Sequence, residues 1–176
     1  MNTRALAKTI EMTSPRFIFG FLLWVTFACV LPGCVTTAAR DSEPKDLAIL
    51  QKRSGDYPVA DLSRLPEAQE KAHVGFINNA ATFAAVWDAF KPEEKVPEVD
   101  FKESIIVYAR NVEYYNRISI SKVIIKDGVV EILAMETRLA LPIEDKAAMA
   151  MAVIPRAGVK FLKTGNGQIP VSTNRQ

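Results

Sequence analysis

Residues 123–135 read VIIKDGVVEILAM, two apolar runs separated by Asp127-Gly128. A two-residue Asp-Gly connection suits a type I′ turn, whose central residues both need positive φ, so the segment predicts a β-hairpin with antiparallel strands. On its N-terminal side Ile118 and Ile120 alternate with Ser119 and Ser121, as in a half-buried strand, and residues 104–109 (SIIVYA) are strongly β-forming. On its C-terminal side residues 149–155 (MAMAVIP) and 159–163 (VKFLK) predict two more strands, punctuated by Pro155 and Gly158. Met149 and Met151 alternate with Ala148, Ala150 and Ala152, which predicts one face packed closely against a helix; a Met-lined binding surface is the alternative.

That helix is readable upstream. Asn78-Asn79 supplies an N-cap before AATFAAVWDAF, and Phe83, Val86, Trp87 and Phe90 fall at i, i+3, i+4 and i+7, one face of a helix over about Ala80–Phe90. Pro92 disfavours helical geometry at Lys91, and Pro97 repeats the interruption, so residues 91–97 form a loop. Residues 71–77 (KAHVGFI) have strand composition. Residues 46–53 (DLAILQKR) are compatible with a short strand, after which Gly55, Pro58 and Pro66 predict turns. The chain after Gly165 is expected to fray. The expected fold class is therefore α+β, a largely antiparallel β-sheet packed against one main helix, in a single domain over residues 46–165 with a frayed tail at 166–176.

The N-terminal segment reads as an address. Residues 1–16 carry Arg4, Lys8 and Arg16 against Glu11, and residues 17–31 (FIFGFLLWVTFACVL) are apolar throughout, the basic and hydrophobic parts of a signal peptide. The apolar run is shorter than the ~20 residues of a membrane-spanning helix. It ends in Leu31-Pro32-Gly33-Cys34, which resembles the bacterial lipobox; Leu31, Gly33 and Cys34 match, and Pro32 departs from the usual small or β-branched residue. The resemblance implies cleavage after residue 33, palmitate-type acyl chains on Cys34, and membrane attachment through that lipid. An uncleaved signal anchor with Cys34 an ordinary thiol is the alternative. Residues 34–45 are small, polar and charged and read as a flexible tether, able to hold the domain up to ~35 Å from its anchor. In Gram-negative lipoproteins of this kind, Val35 rather than Asp after the lipid site implies the outer membrane.

Discarding residues 1–33 removes three basic residues and one acidic residue from totals of 22 and 20, leaving 19 of each. A neutral domain lacks the basic excess that marks a nucleic-acid partner, so none is expected. Cys29 lies in the signal segment and Cys34 is the lipid site, so no thiol remains for a disulfide or a nucleophile, and packing must stabilise the exported domain.

His73 is the single histidine, and with no further His or Cys at hand no zinc site is expected. No nucleophile motif such as G-x-S-x-G accompanies it, and a structural histidine is the favoured reading. Asp100 with Glu103, or Glu113 with Glu136, would serve as acid/base pairs, but neither has a specific spacing and solvated surface charge explains both. Residues 164–167 (TGNG) lack the P-loop lysine and following helix and read as a turn. No catalytic residue, metal or cofactor is assigned, and the chain is not expected to be an enzyme. The segment Arg110-Asn111-Val112-Glu113-Tyr114-Tyr115-Asn116-Arg117 joins two predicted strands, and tyrosines beside arginines are typical interface anchors. Tyr114, Tyr115 and Arg117 are therefore the candidate binding residues; an ordinary strand connection with one Tyr packed inward is the alternative.

From about residue 82 to 162 the order of features resembles the C-terminal domain of the PrcB family of protease-complex proteins. The matching pieces are the helix with Trp87, the turn into Val99-Asp100-Phe101, the paired strands around Asp127-Gly128, and the late strand ending in Ile154-Pro155. The family commonly has Thr-Gly-Gly-Tyr where this chain has Glu113-Tyr114-Tyr115-Asn116. The resemblance implies a non-catalytic accessory role, binding a protein partner within an exported complex of the cell envelope. The competing hypothesis is a small-ligand or glycan-binding envelope lipoprotein that uses tyrosines as a stacking platform.

Overall fold

Two kinds of apolar pattern sort the strands into two sheets. In the computed structural model of the protein, which describes residues 42–111, 115–138 and 146–172 (the side chains of 56–60, 115, 116, 138 and 146 excepted), nine strands and two α-helices follow one another. In chain order they are β1 (Lys45–Asp46), β2 (Gln51–Pro58), a 3-10 helix (Val59–Arg64), α1 (Glu67–Lys71), β3 (Val74–Ile77), α2 (Ala80–Phe90), β4 (Ser104–Asn111), β5 (Tyr115–Lys126), β6 (Val129–Arg138), β7 (Lys146–Pro155), β8 (Phe161–Thr164) and β9 (Gly167–Pro170). All belong to one unit, residues 40–176.

Strands with unbroken apolar sequence, β4 (SIIVYARN) and β7 (KAAMAMAVIP), are buried on both faces and sit at the centre of a four-stranded antiparallel sheet in the order β2-β7-β4-β3. A strand covered on both sides has no reason to alternate. The alternating strand β5 (ISIS) belongs instead to a five-stranded sheet in the order β1-β5-β6-β8-β9, antiparallel except for the β6–β8 pair, where Val129 and Val130 lie beside Phe161 and Leu162 in parallel. The fold is α+β with α2 as its main helix, as the sequence predicts, but the sheet is split in two.

Helix α2 covers one face of the four-stranded sheet, where Phe83, Val86, Trp87 and Phe90 pack with Ile106, Tyr108, Met149 and Met151. The five-stranded sheet covers the other face, where Ile118, Ile120, Val123, Val130 and Leu162 meet Ile105, Val107, Ala148, Ala150 and Ala152. One face of β7 packs against the helix, as the alternation predicts: the methionines face α2, and the small alanines on the opposite face meet the second sheet. Asn79 caps α2, its Oδ1 accepting the Thr82 amide at 2.8 Å, and the Lys91 amide donates to Trp87 O at 2.6 Å as the helix ends. The hairpin turn has positive φ at both Asp127 (53°) and Gly128 (84°), as a type I′ turn requires. Gly128 O accepts the amides of Lys160 (2.8 Å) and Phe161 (3.1 Å), so the turn also sets where β8 begins.

Three boundaries differ from those predicted. β2 does not break at Gly55, where a Cβ would lie 3.1 Å from Phe90 Cζ, so glycine there admits the helix; it ends at Pro58, one of the predicted interruptions, on an edge strand where a missing N–H is tolerated. The domain starts inside the expected tether, since Ser42 Oγ donates to Asp127 Oδ1 and Lys45 pairs with Ile125; the rest of that tether lies outside the described residues. The first part of the tail expected to fray, residues 166–172, instead forms β9, whose Ile169 lies opposite Leu162, and buries Val171, whose amide donates to Lys160 O at 2.8 Å; residues 173–176 lie outside the described residues. Among the described residues no helix is long and apolar enough to cross a membrane.

Candidate interaction surface

Among the described residues the five-stranded sheet exposes three large apolar side chains, Leu133 and Met135 on β6 and Phe161 on β8. Across an antiparallel ladder, directly opposed residues share a face. Val123 lies opposite Ile132, and Ile125 opposite Val130, on the core side; Lys122 opposite Leu133, and Ser119 opposite Met135, therefore point away from the core. Met135 is 65% exposed and Leu133 40%. An irregularity between Ile120 and Lys122 leaves Ser121 unopposed, and its hydroxyl donates to Leu133 O at 2.7 Å. Such a bulge keeps Ile118, Ile120 and Val123 on the core side although the spacing between Ile120 and Val123 is odd. Ion pairs frame the same outer face, Lys122 with Asp46 at 2.8 Å and Lys163 with Glu131 at 2.8 Å, both solvent-exposed and each worth little by itself.

Of the candidate binding residues, Arg117 is exposed on β5 opposite Thr137, two pairs beyond Met135 and Ser119 along the ribbon. Tyr115 opens β5 opposite Arg138, and its side chain, like the whole of Tyr114, lies outside the described residues, as does Cys34. The Arg110–Arg117 segment is divided by its surroundings. Arg110 is only 4% exposed, and its guanidinium donates to Glu70 O while its backbone amide donates to His73 O at 2.7 Å, so it fastens α1 and the entry to β3 onto β4. His73 itself is exposed.

The remaining candidates have structural settings. Asp100 Oδ1 accepts the Lys102 amide at 2.9 Å and Asp100 O accepts that of Ser104, which closes the turn into β4; Glu103 is exposed, as is Glu136, and Glu113 lies outside the described residues. Thr164 and Gly167 close the β8–β9 turn, with Gly167 at φ 140°. Among the described residues no three His, Cys, Asp or Glu side chains gather where they could hold a metal ion.

A second feature lies over α2, where the loop after the helix makes two shallow depressions of about 550 and 460 Å³ on either side of Val96, Pro97 and Glu98. Trp87 borders one of them but is 2% exposed. Its indole N–H donates to Glu94 O at 3.2 Å, and Arg53 and Lys91 approach its ring at 5.4 and 5.9 Å. The ring is thus engaged by the protein's own cations rather than presented to a ligand.

Leu133 and Met135 were not singled out by sequence reasoning, although a signal existed. In VVEILAM, Val130 and Ile132 share one phase of the strand, so Leu133 and Met135 are surplus apolar residues on the other. Compared with protein-family models, with curated proteins and with solved structures, the chain matches none.

Proposed function

We propose that this chain is a lipoprotein of the bacterial cell envelope, anchored through lipid on Cys34 at the outer membrane, whose domain binds a protein partner in a non-catalytic accessory role. The observation that carries the binding role is the outer face of the β5–β6 ribbon, where Leu133 and Met135 stand exposed with Arg117 on the neighbouring strand. Arginine beside exposed large apolar groups is the composition of binding hot spots, and burying the part of each apolar side chain that is still exposed would contribute about 1 kcal/mol. The order of elements from α2 to β8 supports an accessory role through its resemblance to the PrcB C-terminal domain, and the Leu31-Pro32-Gly33-Cys34 sequence supports the anchor.

Placing a photo-crosslinking amino acid at Met135 of the full-length protein in bacterial cells, followed by detergent extraction, is expected to give one dominant adduct with a different protein. The same probe at Lys95, in the loop after α2, serves as the control and is expected to give none. No distinct adduct from Met135, or the same adducts from both sites, would remove the binding role. Retention of Cys34→Ala on the membrane at its precursor mass would remove the lipid anchor.

A further inference from the structure

Among the described residues three arginines, Arg53, Arg110 and Arg156, carry a buried Nε with no hydrogen-bond partner. A buried polar group left unpaired costs free energy, so each needs a reason. Arg110 and Arg156 have a structural one. Their guanidinium groups donate to main-chain carbonyls of other elements, Glu70 O and Asn78 O (3.1 Å), and so fasten α1 and the entry to α2 onto the four-stranded sheet. Arg53 fastens nothing. Its Nη2 donates at 2.9 Å to Oε1 of Gln51, an exposed side chain two residues away on the same strand. Among the described residues no carboxylate forms an ion pair with it.

The register of β2 places this arginine. Arg53 lies opposite Met151 and Gln51 opposite Val153, both in the core cluster under α2, so the two side chains leave the edge strand on the helix side. There they meet the loop after α2 and line the depression of about 460 Å³ with Lys95, Glu98 and an apolar wall of Val96 and Pro97. That volume suits a small ligand. Trp87 backs the guanidinium, whose Cζ stands 5.4 Å from the centre of the ring. Glu94, at the rim, is paired with Lys91 at 2.5 Å. Two cations, Arg53 and Lys95, then face one carboxylate, Glu98, a surplus of one positive charge.

We infer that this depression binds a small monocarboxylate with an apolar body. Nε and Nη2 form one edge of the guanidinium, and a carboxylate takes both N–H groups side by side, a geometry that a single amide oxygen cannot match. The carboxylate displaces Gln51 Oε1 from Nη2 and supplies the partner that Nε lacks, while the exposed Gln51 side chain swings aside. The apolar body lies against Val96 and Pro97. Trp87 holds the cation from behind and does not itself stack on the ligand. One surplus positive charge matches one carboxylate, whereas the second charge of a phosphate would face Glu98 uncompensated. The site lies on the helix side of the four-stranded sheet, away from the β5–β6 ribbon, and is independent of the partner-binding reading.

Nitrogen–proton correlation NMR of the full-length protein in detergent, titrated with pentanoate, tests this through the Arg53 Nε–H and Trp87 indole N–H resonances. Both are expected to shift saturably, with a Kd on the order of 1 mM. Pentanamide, which has the same body without the charge, and inorganic phosphate are each expected to bind at least about ten-fold more weakly. Arg53→Met should weaken pentanoate by at least about ten-fold as read at Trp87. Glu98→Gln, a change at an exposed side chain, should tighten it by about two- to five-fold, because the lining loses its uncompensated carboxylate. A purely structural role for Arg53 predicts no such gain, so Glu98→Gln and the amide comparison decide the matter if Arg53→Met does not fold. Shifts that do not saturate by about 50 mM, pentanamide or phosphate binding as tightly as pentanoate, or an affinity unchanged in Glu98→Gln would overturn the inference.

Discussion

Gly75 is fixed by its neighbour across the ladder. It pairs with Tyr108, and a Cβ built there would stand 2.4 Å from Tyr108 Oη and 2.6 Å from Cζ. Tyr108 is 1% exposed and shares a core with Trp87 and Phe83, so its ring has little room to withdraw. Gly75→Ala is therefore expected to lose about 1–3 kcal/mol, the usual cost of overpacking. Gly165, around which nothing lies within 4 Å, provides the contrast, and Gly165→Ala should stay within about 0.5 kcal/mol of wild type. Urea denaturation of the two variants checks both, and equal midpoints would refute the close approach at Gly75. Nothing in KAHVGFI announces the constraint, because Tyr108 is 33 positions away and becomes a neighbour only through the β3–β4 pairing.

Elements whose signals lie within a few residues were legible in the sequence. Helix α2 follows from the 3.6-residue period of Phe83, Val86, Trp87 and Phe90, and the β5–β6 hairpin from the backbone demands that Asp127-Gly128 meets. Asn79→Ala should cost about 1 kcal/mol, because it leaves the Thr82 amide without its cap. A thermal melt of that variant is the check, and an unchanged midpoint would mean the cap contributes nothing. β2 and β9 were not legible. Gly55 reads as a breaker until Phe90 lies against it, and a glycine-bounded tail reads as frayed until β8 offers Leu162 opposite Ile169. Likewise only part of the candidate surface was visible. Arg117 stood out by composition, whereas Leu133 and Met135 needed the bulge at Ser121 and the ladder to show which phase of the strand faces water.

The whole molecule is a helix, a four-stranded sheet and a five-stranded sheet in three layers, and β7 is where their spacings are set. Its odd-numbered residues Met149 and Met151 fill the broad gap to α2, and its even-numbered alanines fill the narrow gap to the second sheet. The two faces should tolerate change differently. Ala150→Leu, at 1% exposure between the sheets, is expected to lose about 1–3 kcal/mol, whereas Met149→Leu on the helix side, nearly conserving volume, should lose less than about 1.5 kcal/mol. A larger loss at Met149 than at Ala150 in chemical denaturation would reverse this assignment of layers. By itself the sequence determined the fold class, the main helix, the hairpin and the residues able to bury themselves, because caps, turns and periodicity act over a handful of neighbouring residues. Only the tertiary structure decided that the strands divide into two sheets, which side of β7 meets which layer, and that Leu133 and Met135 remain exposed beside Arg117. Those outcomes depend on pairing and coverage between residues far apart in the chain, which local pattern does not encode.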